Sequence, residues 1–112
     1  MTTLYWLQTG ACGGDSLSIL SADSPSIEQL VLAHGIELLW HPSLSHMSVR
    51  QHDKIYRQIV DGEQSLDILC VEGSIVTAPR GTGMYDSYQG RARKDMVMEL
   101  AHQAGVVVAM GT

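Results

Sequence analysis

Three kinds of side chain in this sequence could do chemistry. The turn Gly10-Ala11-Cys12-Gly13-Gly14-Asp15-Ser16 offers a thiolate and a carboxylate three residues apart. Its glycines would let both groups point into one concavity, a spacing that suits a pair of cluster ligands, although hard oxygen is an uncommon partner for sulfur-bound iron. The same residues also describe a tight turn with a buried cysteine and an aspartate capping a helix. Phosphate binding is not expected there. Both G-x-x-x-x-G-K-[ST] and G-x-G-x-x-G are missing, and Asp15 puts negative charge where a phosphate needs bare N–H groups. Glu72 closes an apolar run and precedes Gly73. A carboxyl group in that place could carry a proton, act as a reserve ligand or anchor a loop by hydrogen bonds. His41, His46 and His52 are five and six residues apart, which is not the spacing of one helix face, so a zinc site is not expected. Cys70 sits among Ile68, Leu69 and Val71 and reads as a small core residue.

These residues need elements to position them, and hydrophobic periodicity supplies an alternation of strands and helices. Leu4–Gln8, Ile36–Trp40, Asp67–Val71 and Val106–Met110 read as short apolar strands. Between them, a short helix can start at Asp15, and Ser24-Pro25 opens another that Gly35 stops. Ser48–Val60 carries Val49, Ile55, Tyr56, Ile59 and Val60 on one helix face, with Gly62 beyond it. Ala92–Ala104 carries Met96, Val97, Leu100 and Ala101, and Gly105 ends that helix. Glu72–Gly90 is a long glycine-rich connection whose Met84, Tyr85 and Tyr88 suit a partner surface. Alternation of this kind predicts an α/β fold, a flavodoxin-like doubly wound parallel sheet of four strands covered on both faces. Loops after the carboxyl ends of such strands share one rim, where ligands bind. Cys12–Asp15, His41–His46 and Glu72–Gly90 all fall on it, and strand four ends in Gly111-Thr112 as it reaches the same rim.

Composition narrows the function classes. In 112 residues there are 12 acidic and 7 basic side chains, for a net charge of −5. That balance argues against a nucleic-acid groove or a polybasic anchor, and Arg91, Arg93 and Lys94 read as the solvated start of a helix. No apolar run approaches a transmembrane segment, and the start MTTLYWLQTG carries no leader pattern, so a cytoplasmic location is expected, peripheral to a membrane at most through partners. Two cysteines do not make a disulfide framework.

Taken together, LYWLQTGACGGDSLSIL, LLWHPSLS, DILCVEGSIVTAPRGTGMYD and the closing VVVAMGT resemble the N-terminal domain of nickel–iron hydrogenase small subunits, in order and over nearly the whole chain. The resemblance implies a single domain over residues 1–112 that holds a proximal 4Fe-4S cluster, with the C-terminal part of the family absent. It implies Cys12 as the first ligand. Asp15 stands where the family usually has the second cysteine of C-x-x-C, as in the small subgroup whose cluster takes three cysteines and one aspartate. Gly14 stands where oxygen-tolerant membrane-bound relatives carry an extra cysteine, so a six-cysteine cluster is not expected. Glu72 of Val71-Glu72-Gly73-Ser74 matches the carboxylate beside the cluster, and the remaining ligands would follow Thr112. The implied role is electron relay from a nickel–iron centre housed in a partner large subunit, a pairing that admits a higher oligomer. Two other readings compete: a cluster-free interaction module, and a cluster subunit of complex I type, against which Gly13-Gly14 argues because those subunits carry adjacent cysteines in this loop.

Overall fold

The computed structural model describes residues 1–10, 21, 26, 29, 31 and 33–111. Four parallel strands form the main sheet: β1 (Thr2–Gln8), β2 (Ile36–Trp40), β3 (Leu66–Glu72) and, last in the chain, β6 (Ala104–Met110). Their order is β2-β1-β3-β6, the flavodoxin-like arrangement expected. Gln29, Val31 and Ala33, between β1 and β2, are helical. The two helix starts expected at Asp15 and at Ser24-Pro25 lie outside the described residues.

Helix α1 (Val49–Val60) joins β2 to β3 and starts with a reciprocal cap. Ser48 Oγ accepts the Gln51 N–H at 3.1 Å, and Gln51 Oε1 accepts the Ser48 N–H at 2.8 Å, which satisfies two of the donors a helix start leaves open. Its buried stripe is His52, Tyr56 and Ile59. Val49, expected on that stripe, is 49% exposed. Helix α2 (Arg93–Gln103) joins β3 to β6 and buries Met96, Val97 and Leu100. Both helices pack on one face of the sheet, where they meet Tyr5, Leu7, Leu39, Leu69 and Val71 in a single core.

Alternation along the strands sends the intervening residues to the second face. The registers align Trp6 with Cys70 and Val108 there, and Gln8 with Glu72 and Met110. At the opposite end, Thr3 ties β1 to β3: its N–H donates to Asp67 Oδ2 at 2.8 Å and its Oγ1 accepts the Asp67 N–H at 3.0 Å. Val106 and Val107 on β6 are 57% and 48% exposed, so the described residues leave this edge of the sheet open.

Two expectations need correction. Gly105 is not the stop of α2. Strand β6 begins at Ala104 without an intervening turn, and Gly105 lies within it, where a Cβ would come within 3.2 Å of the Asp67 carbonyl oxygen. In the connection between β3 and α2, β4 (Ser87–Tyr88) and β5 (Arg91–Ala92) pair antiparallel. Gln89 and Gly90, both at positive φ, make the tight turn between them. Arg93 is not merely solvated. Its Nη1 donates to the Gln8 carbonyl at 2.8 Å, its Nε pairs with Asp86 at 3.1 Å, and its guanidinium lies over the Tyr88 ring.

Candidate functional site

β1 and β3 are neighbours at the centre of the sheet, and the chain leaves them toward opposite edges, to β2 and to β6. That divergence opens a crevice at their carboxyl ends. Glu72, the last residue of β3, lies there with no exposed surface. The Trp6 indole Nε1–H donates to its Oε1 at 3.1 Å. Its main-chain oxygen accepts both the Thr9 N–H at 2.8 Å and the Thr9 Oγ1 hydroxyl at 3.0 Å.

One step further along β1, Gly10 is clamped to the connection after β3. Its N–H donates to the Ser74 carbonyl at 3.0 Å, and Ser74 Oγ donates back to the Gly10 carbonyl at 3.3 Å. A Cβ on Gly10 would lie 3.0 Å from the Ser74 carbonyl oxygen and 3.0 Å from Val76 Cγ2, so only glycine permits this approach. The chain therefore leaves β1 toward Cys12 and Asp15 from a fixed point, Gly10, one residue beyond the Thr9 that bonds Glu72. Cys12 and Asp15 themselves lie outside the described residues.

The three histidines are not brought together. His41, in the connection after β2, is buried; its Nδ1 accepts the N–H groups of Ser43 at 3.0 Å and Leu44 at 3.3 Å, and its ring meets Trp6 on the second face. Burial pulls its pKa below the usual histidine range, against a smaller opposing pull from Glu72. His52 sits on the helical face instead. It bonds to the Tyr5 hydroxyl through Nε2 and to the Tyr88 hydroxyl through Nδ1, and stacks on Trp40 at 4.1 Å. Burial lowers its pKa as well, and burial holds the Tyr5 phenol far above its ordinary value. His46 is exposed. Among the described residues no three His, Cys, Asp or Glu side chains are placed to hold a metal ion. Cys70 is buried, as expected, with its thiol pKa raised by burial.

A cleft of about 340 Å³ opens on the helical side of the same rim, walled by Gln8, Thr9, Trp40, Pro42, His52 and Arg93 among others. Trp6 was not singled out in the sequence, although its alternation with Gln8 already put both on one face. The parallel register with β3 was needed to show that this face holds Glu72.

The family model for the NADH ubiquinone oxidoreductase 20 Kd subunit matches residues 12–112. The chain belongs to this family. Curated relatives are hydrogenase small subunits. The F420 non-reducing hydrogenase II small subunit of Methanosarcina mazei is 28% identical over 98% of this chain and 31% of its own length. The Hydrogenase-2 small chain of Escherichia coli K12 is 28% identical over 97% of this chain and 28% of its own. The chain thus spans less than a third of the length of these relatives. Among solved structures, the Ni-Fe-Se hydrogenase of Desulfomicrobium baculatum superposes with a TM-score of 0.80 at 25% identity, covering 96% of this chain and 41% of that one. The actinobacterial-type NiFe-hydrogenase of Ralstonia eutropha H16 superposes with 0.79 at 27% identity, covering 96% and 35%. The family description names a complex I component, while these relatives are hydrogenases; homology to nickel–iron hydrogenase small subunits is carried by the latter.

Proposed function

We propose that this chain is the proximal-cluster domain of a nickel–iron hydrogenase small subunit, an electron relay that works against a large subunit housing the nickel–iron centre. The observation that carries this is the match to hydrogenase small subunits over 98% of the chain, and the buried carboxyl group of Glu72 at the crevice supports it. When bound, a 4Fe-4S cluster takes up and passes on single electrons. Cys12 and Asp15 would hold it, with further ligands outside this sequence and Glu72 beside it.

The donor set fits such a group. A thiolate is the soft ligand that iron–sulfur clusters require, and Cys12 is two residues from the clamped Gly10. The described residues add a carboxyl group at that loop's root and no competing metal cage. This chain's residues then have three tasks. Gly10 and Ser74 fix where the ligand loop departs. Trp6 directs Glu72. The rim, with exposed Met84 and Tyr85 in the connection after β3, supplies surface for a partner. No described helix is long and apolar enough to cross a membrane; a cytoplasmic location is part of the proposal.

Native mass spectrometry on anaerobically purified full chain tests the reading. A complex with a larger subunit, plus mass for four irons and four sulfides, is the expected result. An iron-free protein with no larger partner would overturn it in favour of a cluster-free module.

A further inference from the structure

His41 is fixed more tightly than a loop residue needs to be. Its Nδ1 accepts two backbone N–H groups, from Ser43 and Leu44, so the neutral ring carries its proton on Nε2. Its own N–H donates to Ser45 Oγ at 2.8 Å, and its carbonyl accepts the Ser45 N–H at 3.0 Å. Tautomer and ring direction are both set by the loop. The ring then meets the Trp6 indole at 5.0 Å between centroids, tilted by 51°. Trp6 is the residue whose Nε1–H reaches Glu72. The χ2 torsion of tryptophan is broad, so a donor at the far edge of the indole is aimed only if something holds the ring.

We propose that His41 is a positioning residue for Glu72, acting through Trp6: the loop after β2 holds the imidazole, the imidazole holds the indole, and the indole N–H sets where the carboxyl group lies at the root of the Cys12 loop. The positioning is a property of this chain; only its consequence for a redox potential rests on the cluster reading. The residue type follows from the two contacts. Phenylalanine would keep the ring but strand the N–H groups of Ser43 and Leu44. Asparagine would keep an acceptor near the Nδ1 position but lose the ring.

The test uses the full chain with whatever iron and partner it carries. Ultraviolet resonance Raman spectroscopy reads the hydrogen bonding of the indole N–H, and the difference spectrum against Trp6→Phe separates Trp6 from Trp40. His41→Asn is expected to move the Trp6 band toward that of an unbonded indole. Ser45→Ala, which loosens the same loop without touching the ring, is expected to move it less and in the same direction. In cluster-loaded protein, His41→Asn and Trp6→Phe should each shift the midpoint potential, and the double variant should shift it no further than Trp6→Phe alone. A Trp6 band unmoved in both His41→Asn and Ser45→Ala overturns the proposal, as do additive potential shifts. Wild-type protein without iron would overturn the cluster reading instead, while the Raman band still decides the positioning.

Discussion

The Trp6 indole N–H reaches diagonally across two parallel strands to the carboxyl group of Glu72, 3.1 Å away and wholly out of solvent. A buried acceptor that loses a donor costs ~1–3 kcal/mol. Trp6→Phe keeps most of the ring against His41 but removes that donor, so it should lower stability by about this much. Glu72→Gln keeps an acceptor oxygen and should cost less. Denaturant midpoints of both variants and the double variant check this. Equal losses in the two single variants, adding in the double, would mean that the contact contributes nothing.

The approach of Gly10 to Ser74 makes a sharper prediction. In Gly10→Ala the new methyl meets a backbone carbonyl at 3.0 Å and a valine methyl at 3.0 Å, and overpacking of this kind costs ~1–3 kcal/mol. Gly105→Ala meets the Asp67 carbonyl at 3.2 Å and should cost less. Only the first is at the point from which the chain runs to Cys12, two residues on. Iron content at equal folded fraction should therefore fall in Gly10→Ala and hold in Gly105→Ala; equal iron in both would separate the clamp from the ligand loop.

Stability should fall as pH drops from about neutral. The folded chain holds His41 and His52 below their ordinary pKa through burial, whereas in the unfolded chain both titrate near 6.5. Below that value the unfolded state binds more protons, so the stabilisation is complete above about pH 6.5 and is lost as pH falls toward the lower folded values. Urea midpoints should drop between about pH 7 and 5. His52→Gln should flatten that slope without abolishing it, because His41 remains. A flat profile in the wild type would show that neither imidazole is held neutral. Glu99, whose carboxyl pKa is lowered by hydrogen bonds from Tyr56 and Arg91 that outweigh its burial, adds a loss of the same sign at still lower pH.

The sheet was legible because its strands are short apolar runs separated by glycine and capping signals. Ile36–Trp40 and the helix behind Ser48 have the bounds their sequence predicts. What was hidden depends on register. Alternation puts Trp6 and Glu72 each on some face, but only the pairing of Trp6 with Cys70 and Gln8 with Glu72 makes those faces the same. Arg93 was misread for a related reason: charge next to charge reads as solvated surface, and the Gln8 carbonyl it binds is 85 residues earlier in the chain. His41, in the turn after β2, and His52, on the helix, meet neighbouring residues of β1, Trp6 and Tyr5, whose alternation puts them on opposite faces.

Asp15 carries the most specific chemical prediction. An aspartate three residues after Cys12 would give iron a hard oxygen where the family usually offers a second thiolate, and a carboxylate binds iron of a sulfide cluster less strongly than sulfur does. Ligand type and local charge set the potential of such a cluster, so Asp15→Cys, which restores C-x-x-C, should shift the midpoint in an anaerobic redox titration. On this ligand set it should also change how the protein responds to oxygen, because a labile Asp15 bond with Glu72 at hand would let one carboxylate exchange for another, and a cysteine would not. Asp15→Ala should lower iron content while leaving the fold intact. An unchanged midpoint together with an unchanged oxygen response in Asp15→Cys would remove Asp15 from the ligand set and leave the capping role its sequence position suggests.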